Sequence, residues 1–338
     1  MIINFVGLFG QSGSGEVSDE THIARSMEEL GHTVRRIPRD EWREYCNEGY
    51  PKGKYPNIPD EFHADFSLFA KWHHFNNGVY IRHMKILNPK KPVFYWVWDS
   101  VDLGVAWHRD MAVEADLYLS GELGRASEFN DLNIRFYYFQ FDVVDGDMAQ
   151  FNSMKKKYDV VYLGSCDNQN GRIDLLKEIN KSVPIQCFGH DYQEWQKQGF
   201  IANSAVYGND ANKIIGESKI VLGTSCDPHL YGYWSNRVGR VLYGGGKLLQ
   251  QYTPGMENFL HDWVEYYSSP QEAIDKIQDL LSGQYKSRGI YDKQMWTSRQ
   301  KVKDLLIMAE RYLEEDNGKD WLLPERPGEK KLLFEIHI

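Results

Sequence analysis

The sequence contains few cysteines, and their spacing suits neither a metal cluster nor a disulfide framework. The 338 residues include 4 cysteines, with no Cys-x-x-Cys pair and no pair of histidines near them. We therefore expect a reducing, cytoplasmic location and no bound metal. Long apolar runs are also missing, since no stretch of about 18 apolar residues predicts a membrane span. The first residues lack the basic start of a signal peptide and predict a β-strand instead.

An excess of basic residues is absent as well. The formal net charge is −9, whereas a protein that binds duplex nucleic acid normally presents a basic surface to the phosphates. This balance argues against bulk nucleic-acid binding and leaves a local basic groove open. Aromatic residues, in contrast, are abundant at 14%. They fit either a cleft that stacks on rings or sugars, or an aromatic-rich core.

Apolar strands and amphipathic helices alternate along the chain in two successive series. The first series predicts strands at 2–8, 32–37, 65–69, 92–98, 116–120 and 135–139, with a helix at 18–30. A segment with an acidic turn and three lysines, 141–157, indicates a linker. The second series predicts strands at 158–164, 184–188, 219–223, 247–252 and 264–267, and helices at 172–180, 210–217, 270–281 and 298–314. This order is typical of an α/β protein with two parallel sheets.

A glycine loop follows the first predicted strand. Its glycines, Gly10, Gly13 and Gly15, match neither a Walker A loop nor the Gly-x-Gly-x-x-Gly pattern. Gly13, Ser14 and Gly15 still place backbone N–H groups before a helix, where they face a ligand or simply form a flexible turn. His22 lies in the first turn of that helix, as a cleft residue or as polar surface.

Asp99 ends the apolar strand 92–98, and α/β sheets place ligand groups at such strand ends. A carboxylate beside Trp96 and Trp98 suits a general base, and the alternative is a helix N-cap. His73, His74 and His108 are rival bases. None of these residues has a partner that the sequence identifies, so we predict no catalytic triad.

The second half carries basic residues near glycines. Gly164 begins a loop that leads to a helix starting at Arg172. Because an arginine there opposes the helix dipole, we predict an anionic partner such as a phosphate, with a salt-bridged surface arginine as the alternative.

The stretch 231–257 contains a Ser-Asn-Arg run, a glycine break and a Pro-Gly turn. We predict that it contacts the phosphates of a nucleotide donor rather than forming a solvated charged face. Its candidate residues are Ser235, Asn236, Arg237, Arg240 and Lys247.

Several segments in order resemble a known family. They are Thr21-His-Ile with Leu30-Gly-His32, Trp96-Val-Trp-Asp99, Asp159-Val-Val-Tyr-Leu-Gly164 with Arg172, Ser235-Asn-Arg-Val238 through Gly245, and Tyr252-Thr-Pro-Gly255 with 266–281. On these motifs the chain resembles the GT-B glycosyltransferases, close to the CgeB-type and group 1 transferases.

The resemblance implies an α/β fold of two Rossmann-like domains that face each other across a cleft. Residues 1–150 would then bind the acceptor, residues 151–300 the nucleotide sugar, and 301–338 would return to the first domain. It also implies transfer to an acceptor hydroxyl without metal or bound cofactor, from a nucleotide-sugar co-substrate for which we favour a UDP-sugar. The acceptor class stays open between a saccharide, a protein and a modified DNA base.

The sequence departs from the pattern of the family that it resembles at the positions that bind the donor ribose. Group 1 transferases usually carry a glutamate that holds the donor ribose where this sequence has Arg240, and many carry an acid where it has Tyr233. A guanidinium cannot accept hydrogen bonds from a ribose diol. Glu257 is the candidate substitute. The same departure also allows a non-catalytic nucleotide- or sugar-binding protein.

Overall fold

The computed structural model describes residues 1–10, 18–47, 62–70, 78–98, 106–140, 154–235, 237–243, 247–283 and 298–314. The chain divides into two compact units. The first comprises Met1–Phe141 with Thr297–Ile338, and the second is Asp142–Trp296. No helix within the described ranges is long and apolar enough to cross a membrane.

The first unit is built on a parallel sheet with strand order β2-β1-β3-β4-β5-β6. Its strands are β1 (Ile2–Gly7), β2 (Thr33–Pro38), β3 (Phe66–Ala70), β4 (Val93–Val97), β5 (Leu117–Ser120) and β6 (Phe136–Tyr138). The helices between them are α1 (Asp19–Glu29), α2 (Arg39–Asn47), α3 (Val79–Leu87), α4 (Ala106–Glu114) and α5 (Ala126–Asp131). Every residue of β3 and β4 is buried, as expected for a parallel strand covered on both faces.

Local signals set the limits of α1. The Ser18 hydroxyl accepts a hydrogen bond from the Thr21 amide at 3.3 Å and so caps the first turn. Ile23, Ala24 and Met27 are fully buried on one face of the helix. The helix ends where Gly31 adopts a φ of 90°, a left-handed conformation that favours glycine.

The second unit contains another six-stranded parallel sheet, with order β12-β11-β10-β7-β8-β9. Its strands are β7 (Tyr158–Leu163), β8 (Gln186–Gly189), β9 (Ile201–Ser204), β10 (Ser218–Gly223), β11 (Leu248–Gln251) and β12 (Glu265–Tyr267). Its helices are α6 (Arg172–Ser182), α7 (Tyr192–Lys197), α8 (Gly208–Glu217), α9 (Arg237–Tyr243), α10 (Met256–Leu260) and α11 (Pro270–Ser282). Because β7 lies in the middle, this is the Rossmann order 3-2-1-4-5-6.

The last described helix, α12 (Ser298–Glu314), belongs to the first unit and packs against α1. Val302, Leu305, Met308 and Ala309 are fully buried along one side of it. This spacing of three and four residues is that of a helix with one apolar face.

The predicted fold class is confirmed, since both units are parallel α/β sheets. The sequence did not predict α2 to α5, α7, α10 or β9, which the structure adds. The predicted linker 141–157 falls largely outside the described residues, apart from residues 154–157.

Adjacent strands of the second sheet approach closely at their carboxyl ends. A Cβ atom on Gly189 would overlap the carbonyl oxygen of Gly164. We predict that Gly189→Ala lowers the free energy of unfolding by about 1–3 kcal/mol, because backbone atoms have little room to give way. Chemical denaturation followed by tryptophan fluorescence measures this. Ser204→Ala, at an exposed strand end, is the control, and equal stabilities of the two variants would contradict the prediction.

Candidate functional site

The second sheet reverses its direction of growth between β7 and β10. From β7 the chain adds β8 and β9 on one side, then crosses to add β10, β11 and β12 on the other. Ligands of such sheets bind outside the carboxyl ends of the strands at this point, because the two neighbouring loops leave in opposite directions. The loops here are 164–171, after β7, and 224–235, after β10. They define the candidate site, which we call the switch-point edge.

The two loops of the switch-point edge are linked by side chains. Asn170 donates from Nδ2 to the Cys226 carbonyl oxygen at 2.6 Å. Under them, the Tyr162 hydroxyl lies 3.2 Å from the Thr224 hydroxyl. These contacts join the ends of β7 and β10, so the edge is held in one arrangement.

Gly164 is fixed by its neighbours on both sides. Its amide donates to the Phe188 carbonyl oxygen at 2.9 Å, and its own carbonyl oxygen accepts from Trp195 Nε1 at 3.2 Å. A Cβ atom there would lie 2.8 Å from the Tyr162 hydroxyl oxygen. The packing of Tyr162 therefore explains the glycine, and a donor contact by Gly164 stays a prediction.

Arg172 already has an anionic partner within its own loop. Its side chain donates to a carboxylate oxygen of Asp167 at 2.8 Å and to the Asp167 carbonyl oxygen at 3.1 Å. The arginine is 8% exposed. Because Asp167 is already an anionic partner of Arg172, the position of this arginine at a helix start no longer requires a phosphate. The pair instead links Arg172 to the loop 164–171. A phosphate contact by Arg172 stays a prediction.

Arg237 is the first residue of α9, directly after the loop 224–235. Its guanidinium carbon lies 5.5 Å from the centre of the Tyr162 ring, which is cation–π distance. Arg240 follows one helical turn later, and both arginines are half-buried. Ser235 accepts a hydrogen bond from the Val238 amide with its carbonyl oxygen at 3.0 Å. The predicted Asn236 lies outside the described residues.

Lys247 lies at the opposite edge of the sheet from Arg237. It immediately precedes β11, and its carbonyl oxygen accepts from the Val221 amide. The pKa of Lys156, just before β7, is lowered by burial and then by the Lys247 charge, so these lysines are neighbours at the amino edge. The helix α9, about 10 Å long, separates Lys247 from Arg237. We predicted a donor-phosphate contact for at least one of the basic residues of 237–247, and this position favours Arg237 over Lys247.

Glu257, the predicted ribose ligand, accepts a hydrogen bond from the Tyr252 hydroxyl at 3.1 Å. It lies in α10, after β11, and is exposed. Tyr233, at the position of the second family acid, is 2% exposed and contacts Cys226 Sγ at 3.1 Å through its hydroxyl. The ribose assignment to Glu257 stays a prediction.

In the first unit, most of the predicted site residues lie outside the described residues. These are Gly13, Ser14 and Gly15 of the glycine loop, Asp99, and the pair His73 and His74. His22 lies in the first turn of α1, as predicted. Its side chain is half-buried. Its role as a base stays a prediction.

The surroundings of His108 argue against its predicted role as a base. This residue of α4 is 4% exposed, and its Nδ1 lies 2.7 Å from the hydroxyl of the buried Tyr95 on β4. Its helix turns it inward onto the sheet, where the imidazole packs against Tyr95. His108 is a core histidine with a satisfied hydrogen bond.

Two buried glutamates of the first unit follow strand ends and were missed from the sequence. Glu20 in α1 is 7% exposed and accepts from the Leu8 amide at 3.4 Å. Glu122, after β5, is 2% exposed and accepts from the Arg125 amide at 3.1 Å. Burial raises the pKa of each carboxyl from 4.5 to about 7, because a charge loses solvation there. Glu20 resembles an ordinary acid of a first helical turn, so only burial distinguishes it.

These pKa values predict that the first unit loses stability as the pH rises. Between pH 4.5 and 7 the folded state binds more protons than the unfolded state, so the free energy of unfolding falls over this window and stays low above it. The loss is up to about 3 kcal/mol per group. We predict that Glu20→Gln reduces the difference in stability between pH 5 and pH 8, whereas Glu29→Gln, at an exposed position of α1, leaves it unchanged. Denaturation curves at both pH values measure this, and an unaltered difference in Glu20→Gln would be the contrary result.

Comparisons with known proteins identify a related sequence family and related folds. Residues 172–305 match the model of a family described as glycosyl transferase-like, and the matched segment includes Arg172, Arg237 and Arg240. A search of curated protein sequences finds no match.

Solved structures share the fold over nearly the whole chain. AviGT4, a glycosyltransferase involved in avilamycin A biosynthesis, has a TM-score of 0.59 at 11% identity and covers 93% of this chain and 98% of its own. Sucrose-phosphate synthase from Thermosynechococcus elongatus has a TM-score of 0.54 at 9% identity, covering 99% of each chain. The N-terminal domain of trehalose-6-phosphate phosphatase from Candida albicans has a TM-score of 0.56 at 9% identity and covers 92% of this chain and 96% of its own.

Identities this low show the fold alone, and the family match adds a sequence pattern that covers most of the second unit and the start of α12. Together they support glycosyl transfer in general terms. The chain thus has the fold of the GT-B glycosyltransferases, and its residues 172–305 match the glycosyl transferase-like family.

Proposed function

We propose that the protein is a glycosyltransferase that moves a sugar from a nucleotide-sugar donor to an acceptor hydroxyl. The observation that carries this proposal is the position of Arg237. It lies at the carboxyl edge of a Rossmann-ordered sheet, beside the switch point, within the segment that matches the glycosyl transferase-like family.

The second unit binds the donor in this proposal, with Arg237 and Arg240 on its diphosphate. When the bond between the anomeric carbon and the diphosphate oxygen breaks, negative charge develops on the leaving group. Guanidinium groups fixed beside that oxygen stabilise the charge. Basic side chains therefore supply the stabilisation in a metal-independent reaction, and a UDP-sugar is the first donor to test.

The first unit binds the acceptor. The acceptor oxygen forms the new bond to the anomeric carbon, and its proton passes to a base. His22 and Asp99 are the candidate bases. His22 is placed in the first turn of α1, after the carboxyl end of β1, where such sheets bind ligands.

A second candidate function is binding of a nucleotide or sugar without transfer. Two observations favour it: Arg240 stands where the resembling family carries a ribose-binding glutamate, and Tyr233 is buried against Cys226. The two functions share the donor site and differ in turnover.

The test is a panel of UDP-, GDP-, ADP- and dTDP-sugars, assayed for hydrolysis and transfer, with binding of the four nucleoside diphosphates measured by calorimetry. Transfer or slow hydrolysis of one donor supports the glycosyltransferase. Binding without turnover supports the second function. Failure to bind any of the four at millimolar concentration contradicts the glycosyltransferase and the nucleotide-binding form of the second function.

Arg237 and Lys247 form a matched pair of basic residues at opposite edges of one sheet. We predict that Arg237→Ala weakens binding of the preferred nucleoside diphosphate roughly 10-fold to 100-fold, the effect of losing one or two hydrogen bonds to a charged group. Lys247→Ala should change it less than about 2-fold, because Lys247 lies at the amino edge. Calorimetry on both variants measures the difference. An equal effect of the two changes would place the phosphates elsewhere.

A further inference from the structure

We propose that Tyr162 is a positioning residue for the donor diphosphate, because its ring holds the Arg237 guanidinium at the switch-point edge. This inference rests on the proposed function and extends it to a residue that the sequence did not single out. Tyr162 is part of β7, is fully buried, and lies under the site rather than in it. Arg237 lies 5.5 Å from the centre of the Tyr162 ring.

The Tyr162 ring itself is fixed by its surroundings. Its hydroxyl lies 3.2 Å from that of Thr224, which is 3% exposed. The Trp195 ring packs on it edge to face, with centres 5.5 Å apart. Gly164 leaves the space that the hydroxyl end occupies. The ring is therefore a rigid support, fixed by the loop after β10 and by α7.

A half-buried arginine at the end of a loop has several rotatable bonds, and ordering it on binding costs conformational entropy. A guanidinium that already rests on a ring has part of that freedom removed before a ligand arrives. Tyr162 then raises the affinity for a diphosphate without touching it. Since the attraction is electrostatic, it depends on the negative face of the ring and not on the hydroxyl.

Graded fluorination of the ring tests whether diphosphate affinity depends on its negative face, while preserving the shape of the ring. Phenylalanine and its mono-, di- and trifluoro derivatives are incorporated at position 162, since fluorine withdraws charge from the ring face. UDP, GDP, ADP and dTDP and the four parent nucleosides are the probes in calorimetry. We expect Tyr162→Phe to bind the preferred diphosphate within about 3-fold of the unchanged protein. The dissociation constant should then rise stepwise with each fluorine, by about 2-fold to 30-fold in total, with nucleoside binding unchanged.

A double-variant cycle separates positioning from a general structural role. In the Arg237→Ala background the dissociation constant of the diphosphate should not change along the fluorinated series, because the cation that the ring supports is gone. Thermal unfolding of each variant provides the fold control.

The outcomes distinguish this inference from the function on which it rests. If the protein with Arg237 binds diphosphate normally and its affinity does not change with fluorination, the role of Tyr162 is overturned and the proposed function stays intact. Nucleoside affinity that falls in parallel with diphosphate affinity also overturns it, since that indicates structural damage. If the unchanged protein binds none of the four diphosphates, the proposed function fails and the inference fails with it.

Discussion

The pairing of β7 with β10 on one side and β8 on the other is the constraint on which the second unit depends. Parallel pairing brings the carboxyl ends of these strands to one edge, and the crossover between β9 and β10 makes the flanking loops diverge there. Gly189 allows the end of β8 to approach the Gly164 carbonyl oxygen more closely than any side chain permits, and Gly164 leaves room for the Tyr162 hydroxyl. The hydrogen bonds of Tyr162 and Asn170 to the β10 loop then fix the gap between the loops.

Electrostatics at this edge divide the arginines into two kinds. Arg172 is neutralised by Asp167 and stabilises its own loop, whereas Arg237 rests on an uncharged ring. A guanidinium paired with a carboxylate has part of its charge balanced before a ligand arrives, while one on an uncharged ring keeps its full charge. Sequence alone could not separate them, because both lie at helix starts near glycines. The separation depends on which neighbour the fold brings to each.

The predictable part of this molecule was its continuous apolar strands. β4 and β7 were located to within two residues, since β4 is apolar and buried throughout and β7 has a buried apolar centre, 160–162. The edge strand β9 was missed because its residues are exposed or half-buried, with Ile201 60% exposed. The helix α2 was missed because Trp42, Tyr45 and Cys46 are its only apolar residues among charged ones. Site residues were predicted less well, because burial decides their chemistry. His108 became a core residue, and Glu20 gained a pKa of about 7.

The return of α12 to the first unit has a consequence for how the chain folds during its synthesis. The second unit is an insertion within the first, since residues 142–296 separate the six strands of the first sheet from the helix that covers α1. During synthesis on the ribosome, the described helices and strands of the second unit all emerge before α12, the last described helix of the first unit. The earlier unit lacks the buried apolar side chains of α12, among them Val302, Leu305 and Met308, until this helix emerges. The order of completion is thus the reverse of the order of translation, and the first unit is the one that needs protection from aggregation in the interval.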